Sequence, residues 1–148
     1  MKVDDALNNV ARLFLDTAPL IYLVERNPRY FDVVLSIFDR IDDGQVAGVT
    51  SPVTLAECLV VPYRIQSPNL RQLYIDQIVA GSNTTFVTID DTVAKRAADL
   101  RARHNLRLAD ALQVSIALLA GCDALLTNDT TFRRVADLRI LLIDDVEP

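Results

Sequence analysis

The chain has 148 residues, of which 51% are apolar and 24% charged, with a formal net charge of −5, and this balance predicts one globular domain over residues 1–148 and excludes a disordered chain. Its longest uncharged runs, residues 44–56 and 77–89, have 13 residues each, too few for the roughly 18 that cross a bilayer. Because Asp4 and Asp5 lie where a signal peptide would carry positive charge, we expect a cytoplasmic protein with no membrane partner.

The first predicted elements alternate between strand and helix. Residues 11–15 predict a buried strand, and a short helix follows them. Asn27 and Pro28 predict the cap and first turn of a second helix, which we expect to end at Gly44. The predicted apolar face of this second helix consists of Phe31, Val34, Leu35, Phe38 and Ile41.

The middle of the chain repeats this alternation. Residues 46–50 predict a second strand, and Ser51 predicts the cap of a helix that ends near Pro62. Residues 67–68, Ser-Pro, predict a flexible break, after which residues 69–80 predict a further helix.

The last part of the chain has the same pattern. Residues 84–89, which are all β-branched or aromatic, predict a third strand, and Asp90 predicts the cap of the next helix. Residues 108–120 predict an almost wholly apolar helix, and residues 124–127 and 139–143 predict two more strands. Such regular alternation predicts a parallel sheet covered by helices.

Four acidic residues end or interrupt these apolar segments. Two follow predicted strands and two lie near the starts of predicted helices, so all four are expected at the carboxyl edge of the sheet. A carboxylate removed from water is costly unless it is paired or bound to a cation, and few basic residues lie near these acids in the sequence. Carboxylate oxygens favour Mg²⁺ or Mn²⁺. The predicted metal ligands are Asp16, Glu57, Asp110 and Asp129.

Three of these acids also have a structural explanation. Asp16 fits a helix cap at the end of a strand, and Asp110 fits the positive end of a helix dipole. Asp129 fits a turn within Thr-Asn-Asp-Thr. Glu57 lies in the second turn of its helix among apolar neighbours, too late to cap it, and therefore indicates function more strongly than the other three.

Other site chemistries have fewer suitable residues. Cys58 and Cys122 lie far apart in apolar helical segments and are predicted to be reduced core residues. His104 is the only histidine, so neither a Cys/His zinc site nor a Ser-His-Asp triad is favoured.

The charge balance bears on a nucleic-acid partner. A net charge of −5 argues against one, yet a bound divalent ion would reverse the sign of the charge at the acidic site. The chain has thirteen Arg and two Lys, and Arg binds phosphate through two parallel hydrogen bonds. Arg107 and Arg133 adjoin the acids and are predicted RNA contacts, although a solvated surface explains such residues equally well.

Four segments that contain the acids resemble one known family. Residues 13–17 read Leu-Phe-Leu-Asp-Thr, and residues 53–57 read Val-Thr-Leu-Ala-Glu. Residues 108–111 read Leu-Ala-Asp-Ala, and residues 125–132 read Leu-Leu-Thr-Asn-Asp-Thr-Thr-Phe. In this order and spacing, the segments resemble the PIN-domain ribonucleases, and among them the VapC-type toxins of toxin–antitoxin pairs.

The resemblance implies a three-layer α/β/α sandwich with a mostly parallel central sheet. It also implies an endoribonuclease, in which water activated by Mg²⁺ or Mn²⁺ in an acidic pocket hydrolyses RNA phosphodiester bonds, and it implies a cognate antitoxin and a homodimer. Thr127 and Asn128 match the segment leading into the fourth acid and are expected to support the site. Asp16 and Asp110 are expected to hold the main ion. Matched residue by residue, the catalytic and metal-binding acids are Asp16, Glu57, Asp110 and Asp129.

A second hypothesis is a catalytically silent PIN-like binding protein that acts through a partner complex. The presence of all four acids favours the nuclease over this alternative. The largely apolar segment 59–65 is either a partner surface or part of the core.

Overall fold

The protein is built around one sheet of five parallel strands. A computed structural model describes residues 1–148, and its strands lie in the order β3-β2-β1-β4-β5, with every neighbouring pair parallel. The prediction of a parallel sheet is confirmed. The strands are β1 Arg12–Leu15, β2 Ala47–Thr50, β3 Thr84–Phe86, β4 Ala124–Thr127 and β5 Arg139–Leu142.

Seven α-helices connect and cover the strands. They are α1 Val3–Ala6, α2 Thr17–Val24, α3 Phe31–Asp42, α4 Pro52–Arg64, α5 Pro68–Val79, α6 Asp91–His104 and α7 Leu108–Leu119. Two short 3₁₀ segments, Thr130–Arg134 and Ile143–Asp145, flank β5. None of the helices has the length and apolar character needed to cross a membrane.

The hydrophobic core is divided into two parts, one on each face of the sheet. One part packs side chains of α1, α2, α3 and α5 against Leu13 and Leu15 of β1. The other packs α6 and α7 against Phe14 of β1. Successive residues of β1 therefore point to opposite helical layers, as strand geometry requires. The three-layer α/β/α arrangement is confirmed.

The start of α3 differs from the prediction. Asn27 makes the predicted capping contacts one turn before this helix, since its side-chain oxygen accepts hydrogen bonds from the backbone N–H groups of Arg29 and Tyr30 at 2.9 and 3.2 Å. Those bonds close a separate turn before the helix begins at Phe31. Leu35, predicted on the apolar face, is 37% exposed. The predicted apolar face of α3 therefore includes one residue, Leu35, that the structure leaves exposed.

The end of α4 lies near Pro62, as predicted, but two residues beyond it, because the helix continues to Arg64. Proline removes one backbone donor, but Pro62 is buried and the bond from Ile65 N to Val61 O forms at 3.0 Å. Packing has outweighed the local cost of proline. No long break follows, since the hydroxyl of Ser67 accepts a bond from Leu70 N at 3.2 Å and caps α5.

The order of the strands determines where a site can form. The first three strands extend the sheet to one side of β1, and the last two extend it to the other side. Connections therefore leave β1 and β4 in opposite directions and open a crevice at their carboxyl ends. Leu15 of β1 lies beside Leu126 of β4, so the residues that follow these two face each other across the crevice.

Candidate functional site

Asp16 lies at the centre of this crevice. It follows β1 directly, and its backbone N–H donates to Leu126 O at 3.1 Å. Its carboxylate accepts a hydrogen bond from Thr127 Oγ1 at 2.7 Å and a longer one from Gln113 Nε2 at 3.5 Å. Asp16 occupies the cap position of α2 but makes no side-chain capping bond. Capping alone therefore does not explain its carboxylate.

The environment of Asp16 opposes its negative charge. Burial raises the pKa of this carboxyl above its ordinary value, and the nearby charge of Asp110 raises it further. Hydrogen bonds from Thr127, the Thr17 amide and Gln113 act in the opposite direction without cancelling the effect. A carboxylate that stays charged here would gain from a nearby cation.

Gln113, a polar residue within the almost wholly apolar helix α7, is a site residue that the sequence did not identify. Its side chain is 1% exposed, and its Nε2 donates to Thr54 Oγ1 at 2.7 Å as well as to Asp16. Its Oε1 accepts from the hydroxyl of Ser51, the residue that caps α4. All polar atoms of Gln113 are thus partnered, and the amide orientation is fixed by a carboxylate on one side and a hydroxyl donor on the other.

Two further acids lie near Asp16 but in different surroundings. Asp110 is in the first turn of α7 and is only 7% exposed. Glu57, on α4, is exposed to solvent, although its neighbours in the sequence are apolar. Partial loss of solvent raises the pKa of Glu57, and the charges of Asp16 and Asp110 raise it further, which places the three acids within one electrostatic environment.

Arg107 provides the positive charge at this site. It occupies the cap position of α7, and its Nε donates to Asp110 Oδ2 at 3.1 Å. Its Nη2 lies 3.9 Å from Asp129 Oδ2. The bond and charge of Asp110 raise the pKa of the Arg107 guanidinium, with smaller contributions from Asp129 and Glu57.

Asp129 is connected to the other acids more loosely. Its Oδ1 accepts a bond from Thr131 N at 2.9 Å and caps a 3₁₀ segment, so the predicted turn role is real. Its backbone N–H donates to Thr127 Oγ1 at 3.0 Å. Thr127 is fully buried and therefore joins Asp129 to Asp16 through one hydroxyl.

The remaining predicted residues lie beside this cluster. Asn128 accepts a bond from Asp144 N at 3.1 Å, and its Nδ2 lies 3.4 Å from the hydroxyl of Tyr22. It thereby fixes the backbone next to Asp129. Arg133 pairs with Asp145 at 2.7 Å, and none of the four predicted acids is its partner.

The donor set fits a divalent ion that retains much of its water. No three acidic, His or Cys side chains are close enough together to hold one ion as direct ligands. Mg²⁺ does not need three, because it binds proteins through one or two carboxylates and keeps several waters. Thr17 Oγ1 is buried without a hydrogen-bond partner, yet it lies near enough to Glu57 to lower the pKa of that carboxyl. A coordinated water would satisfy such a hydroxyl.

Solved structures with the same fold include proteins of toxin–antitoxin systems. A chain of VapBC2 from Rickettsia felis, bound to a promoter DNA fragment, has a TM-score of 0.68 and 18% identity, covering 88% of this chain and 98% of that one. A chain of a toxin–antitoxin complex from Klebsiella pneumoniae has a TM-score of 0.65 and 23% identity, covering 88% of this chain and 97% of that one. VapC20 from Mycobacterium tuberculosis, a sarcin-ricin loop cleaving toxin, has a TM-score of 0.68 and 14% identity, covering 82% of this chain and 92% of that one.

The sequence itself places the chain in a family. No curated protein matches it, but the model of the PIN domain family matches residues 13–138. This span includes all four predicted acids, β1 from its second residue, and the whole of β2, β3 and β4, and it ends just before β5. The chain therefore belongs to the PIN domain family.

Proposed function

We propose that this protein is a divalent-metal-dependent endoribonuclease and the toxin of a toxin–antitoxin pair. The observation that carries the proposal is Asp16, a partly buried carboxylate whose pKa is raised beside Asp110. The hydroxyl of Thr127 and the amide of Gln113 hold it in place at the sheet edge where ligands of α/β proteins bind. Such an arrangement costs stability unless a cation joins it.

The residues divide the chemical work by their positions. Asp16 and Asp110 are the more buried acids, and they would hold Mg²⁺ or Mn²⁺. When bound, that ion would supply a Lewis acid that activates water and offsets phosphate charge. Glu57 is exposed and has a raised pKa, which suits a group that accepts a proton from attacking water. Asp129 would orient that water through Oδ2, the oxygen that is not engaged in capping the 3₁₀ segment.

RNA is the substrate class that this chemistry fits best. In-line attack on a phosphodiester needs a positive ion and a base within one open crevice, and Glu57 lies at the open side of this one. The M. tuberculosis protein with the same fold is a toxin that cleaves the sarcin-ricin loop. That similarity of fold supports RNA over other phosphodiesters.

A protein partner is part of the proposal. Structures from R. felis and K. pneumoniae with this fold are toxin–antitoxin complexes. A cognate antitoxin is therefore the proposed partner of this chain.

An apolar surface supports a second kind of contact. The second half of α4 and the residue that follows it expose apolar side chains that a monomer would leave in water. They are Val60, Val61, Tyr63 and Ile65, at 43%, 47%, 61% and 61% exposure. We assign this surface to contacts with a second copy, and light scattering of the purified chain tests for a homodimer.

A cleavage assay tests the activity. Purified protein, free of antitoxin, is incubated with total bacterial RNA and Mn²⁺, and new 5′ ends are mapped. Asp16→Asn and Asp110→Asn should lose nearly all cleavage, and a chelator should abolish it in the wild type. Exposed Asp137 gives a matched control, Asp137→Asn, which should cleave normally. Equal cleavage by the wild type and both site variants would refute the nuclease, and no cleavage by any of them would favour the silent binding protein.

A further inference from the structure

Arg107 is the only basic residue that forms ion pairs with the four predicted acids. It contacts Asp110 at 3.1 Å and approaches Asp129 at 3.9 Å, and it lowers the pKa of Glu57. Asp16 has no basic partner of its own. One guanidinium thus faces three of the four carboxylates and supplies all the positive charge at the site.

The oxygens that Arg107 contacts are among those that a divalent ion would need. Its two contacts use Asp110 Oδ2 and Asp129 Oδ2. Asp110 is nearly buried, so it has few other ways to reach an ion while that oxygen is engaged. An ion and the guanidinium would also repel each other at this separation. Ion binding and the present position of Arg107 therefore compete.

Arg107 is free to leave this position. Its side chain is 77% exposed, whereas that of Asp110 is 9% exposed, so the guanidinium can turn into water while the carboxylate stays in place. Its backbone is the cap of α7, so the side chain stays anchored at the rim of the crevice wherever its guanidinium points. A released guanidinium has five donors that match the geometry of a phosphate.

We propose that Arg107 is the counter-ion of the acidic site when no divalent ion is bound, and that an arriving ion displaces it toward the phosphate of the substrate. Arg107 is then a positioning residue that links ion loading to RNA binding. This inference rests on the proposed metal-dependent nuclease.

A purely structural role for Arg107 makes the opposite prediction. If the guanidinium holds Asp110 in the orientation that binds the ion, removing it should weaken ion binding. If it competes with the ion, removing it should strengthen ion binding. The sign of the change in Mn²⁺ affinity therefore separates the two roles.

Isothermal titration with Mn²⁺ measures that sign on the whole chain. Arg107→Gln should bind Mn²⁺ more tightly, by roughly two- to fivefold, as expected for loss of an ion pair whose cation is exposed to solvent. Arg107→Lys keeps the charge and should stay closer to the wild type. Arg103→Gln is the control, since Arg103 pairs with Asp99 on exposed α6 and should leave the affinity unchanged. Equal or weaker binding by Arg107→Gln would overturn the inference.

A second measurement tests the destination of the guanidinium. The probe is a single-stranded 2′-O-methyl RNA of mixed sequence, which lacks the 2′-hydroxyls of RNA, with binding followed by fluorescence anisotropy. In saturating Mn²⁺, Arg107→Gln should bind it more weakly, with the slope of log affinity against log salt smaller by about one. The difference should shrink when Mn²⁺ is omitted. An unchanged affinity in Mn²⁺ would exclude the phosphate contact.

The two proposals fail in distinguishable ways. If the wild type shows no Mn²⁺ binding, both the metal-dependent nuclease and the role of Arg107 are refuted. If the wild type binds Mn²⁺ and Arg107→Gln binds it no better, only the role of Arg107 is refuted. Thermal melts of each variant confirm folding, and Arg107→Ala provides the second test if Arg107→Gln does not fold.

Discussion

Replacing Asp16 with Asn should reverse the order of stability between variant and wild type when metal is added. Asn has the same shape as Asp but no charge, and burial raises the pKa of Asp16, so its charged form destabilises the folded chain. Asn keeps an acceptor for Thr127 but turns a donor toward Gln113, whose bond to this site is only a long one of 3.5 Å. We expect a net gain on the order of 1 kcal/mol, or roughly 2–4 °C in Tm for a chain of this length.

Excess Mn²⁺ should stabilise the wild type more than Asp16→Asn. An ion that binds only the folded state adds about 2.7 kcal/mol at a concentration 100 times its Kd. The Tm of the wild type should then rise by roughly 5–10 °C, whereas Asp16→Asn should rise little. The variant is therefore expected to be the more stable protein without metal and the less stable one with it.

The pH dependence gives an independent check of the same reasoning. Because the folded pKa of Asp16 is raised, its protonated form favours folding at low pH, and that advantage is lost as pH rises through the folded pKa. Without metal, the stability advantage of Asp16→Asn over the wild type should thus be absent below about pH 4 and should grow as the pH rises above that value. Circular-dichroism melts at several pH values, with Asp137→Asn as control, measure both effects. A metal-free variant that melts below the wild type at neutral pH, or one that gains as much from Mn²⁺, would refute the reasoning.

Two further predictions concern buried groups near the site. Gln113→Leu should destabilise the chain by about 1–3 kcal/mol in urea unfolding, because it leaves the Ser51 hydroxyl and Asp16 without their partner; an unchanged midpoint would show that the Gln113 bonds contribute nothing net. Cys58 and Cys122 should resist iodoacetamide at pH 8 until the chain is unfolded, because burial raises the pKa of each thiol to about 12, and rapid labelling of either without denaturant would contradict this.

Local chemistry explains which elements the sequence predicted well. Ser51 and Asp90 cap their helices as expected, since capping depends on a side chain and the N–H groups two or three residues later. Residues 124–127 form a strand with the predicted bounds, because an apolar run between Asp and Asn has few alternatives. The difference at Asn27 is that its local capping contacts close a turn before the helix, and the extension of α4 past Pro62 came from tertiary packing, which a local pattern does not contain.

The sequence pointed to residues of the candidate site but not to most of the contacts between them. That Asp16 meets Thr127 depends on β1 pairing with β4, and the strand order that brings them together is a non-local property. Arg107 and Asp110 are three residues apart across a helix start, a spacing at which side chains meet, so their pair was accessible from sequence. Gln113 was accessible in the same way, since it lies three residues beyond Asp110 on one face of α7.

The positions of these acids reduce the cost of gathering them without removing it. Asp16 occupies the cap position of α2 and Asp110 lies in the first turn of α7, so both lie at the positive ends of helix dipoles. Thr127, Gln113 and the Thr17 amide add favourable contacts to Asp16, and its pKa is nevertheless raised. Hydrogen bonds and helix dipoles therefore stabilise the Asp16 carboxylate only in part. A positive charge is needed to offset the remaining cost of burying it. Arg107 reaches Asp110 and Asp129 but not Asp16. A cation bound at Asp16 is the element that would complete the electrostatic balance of the site.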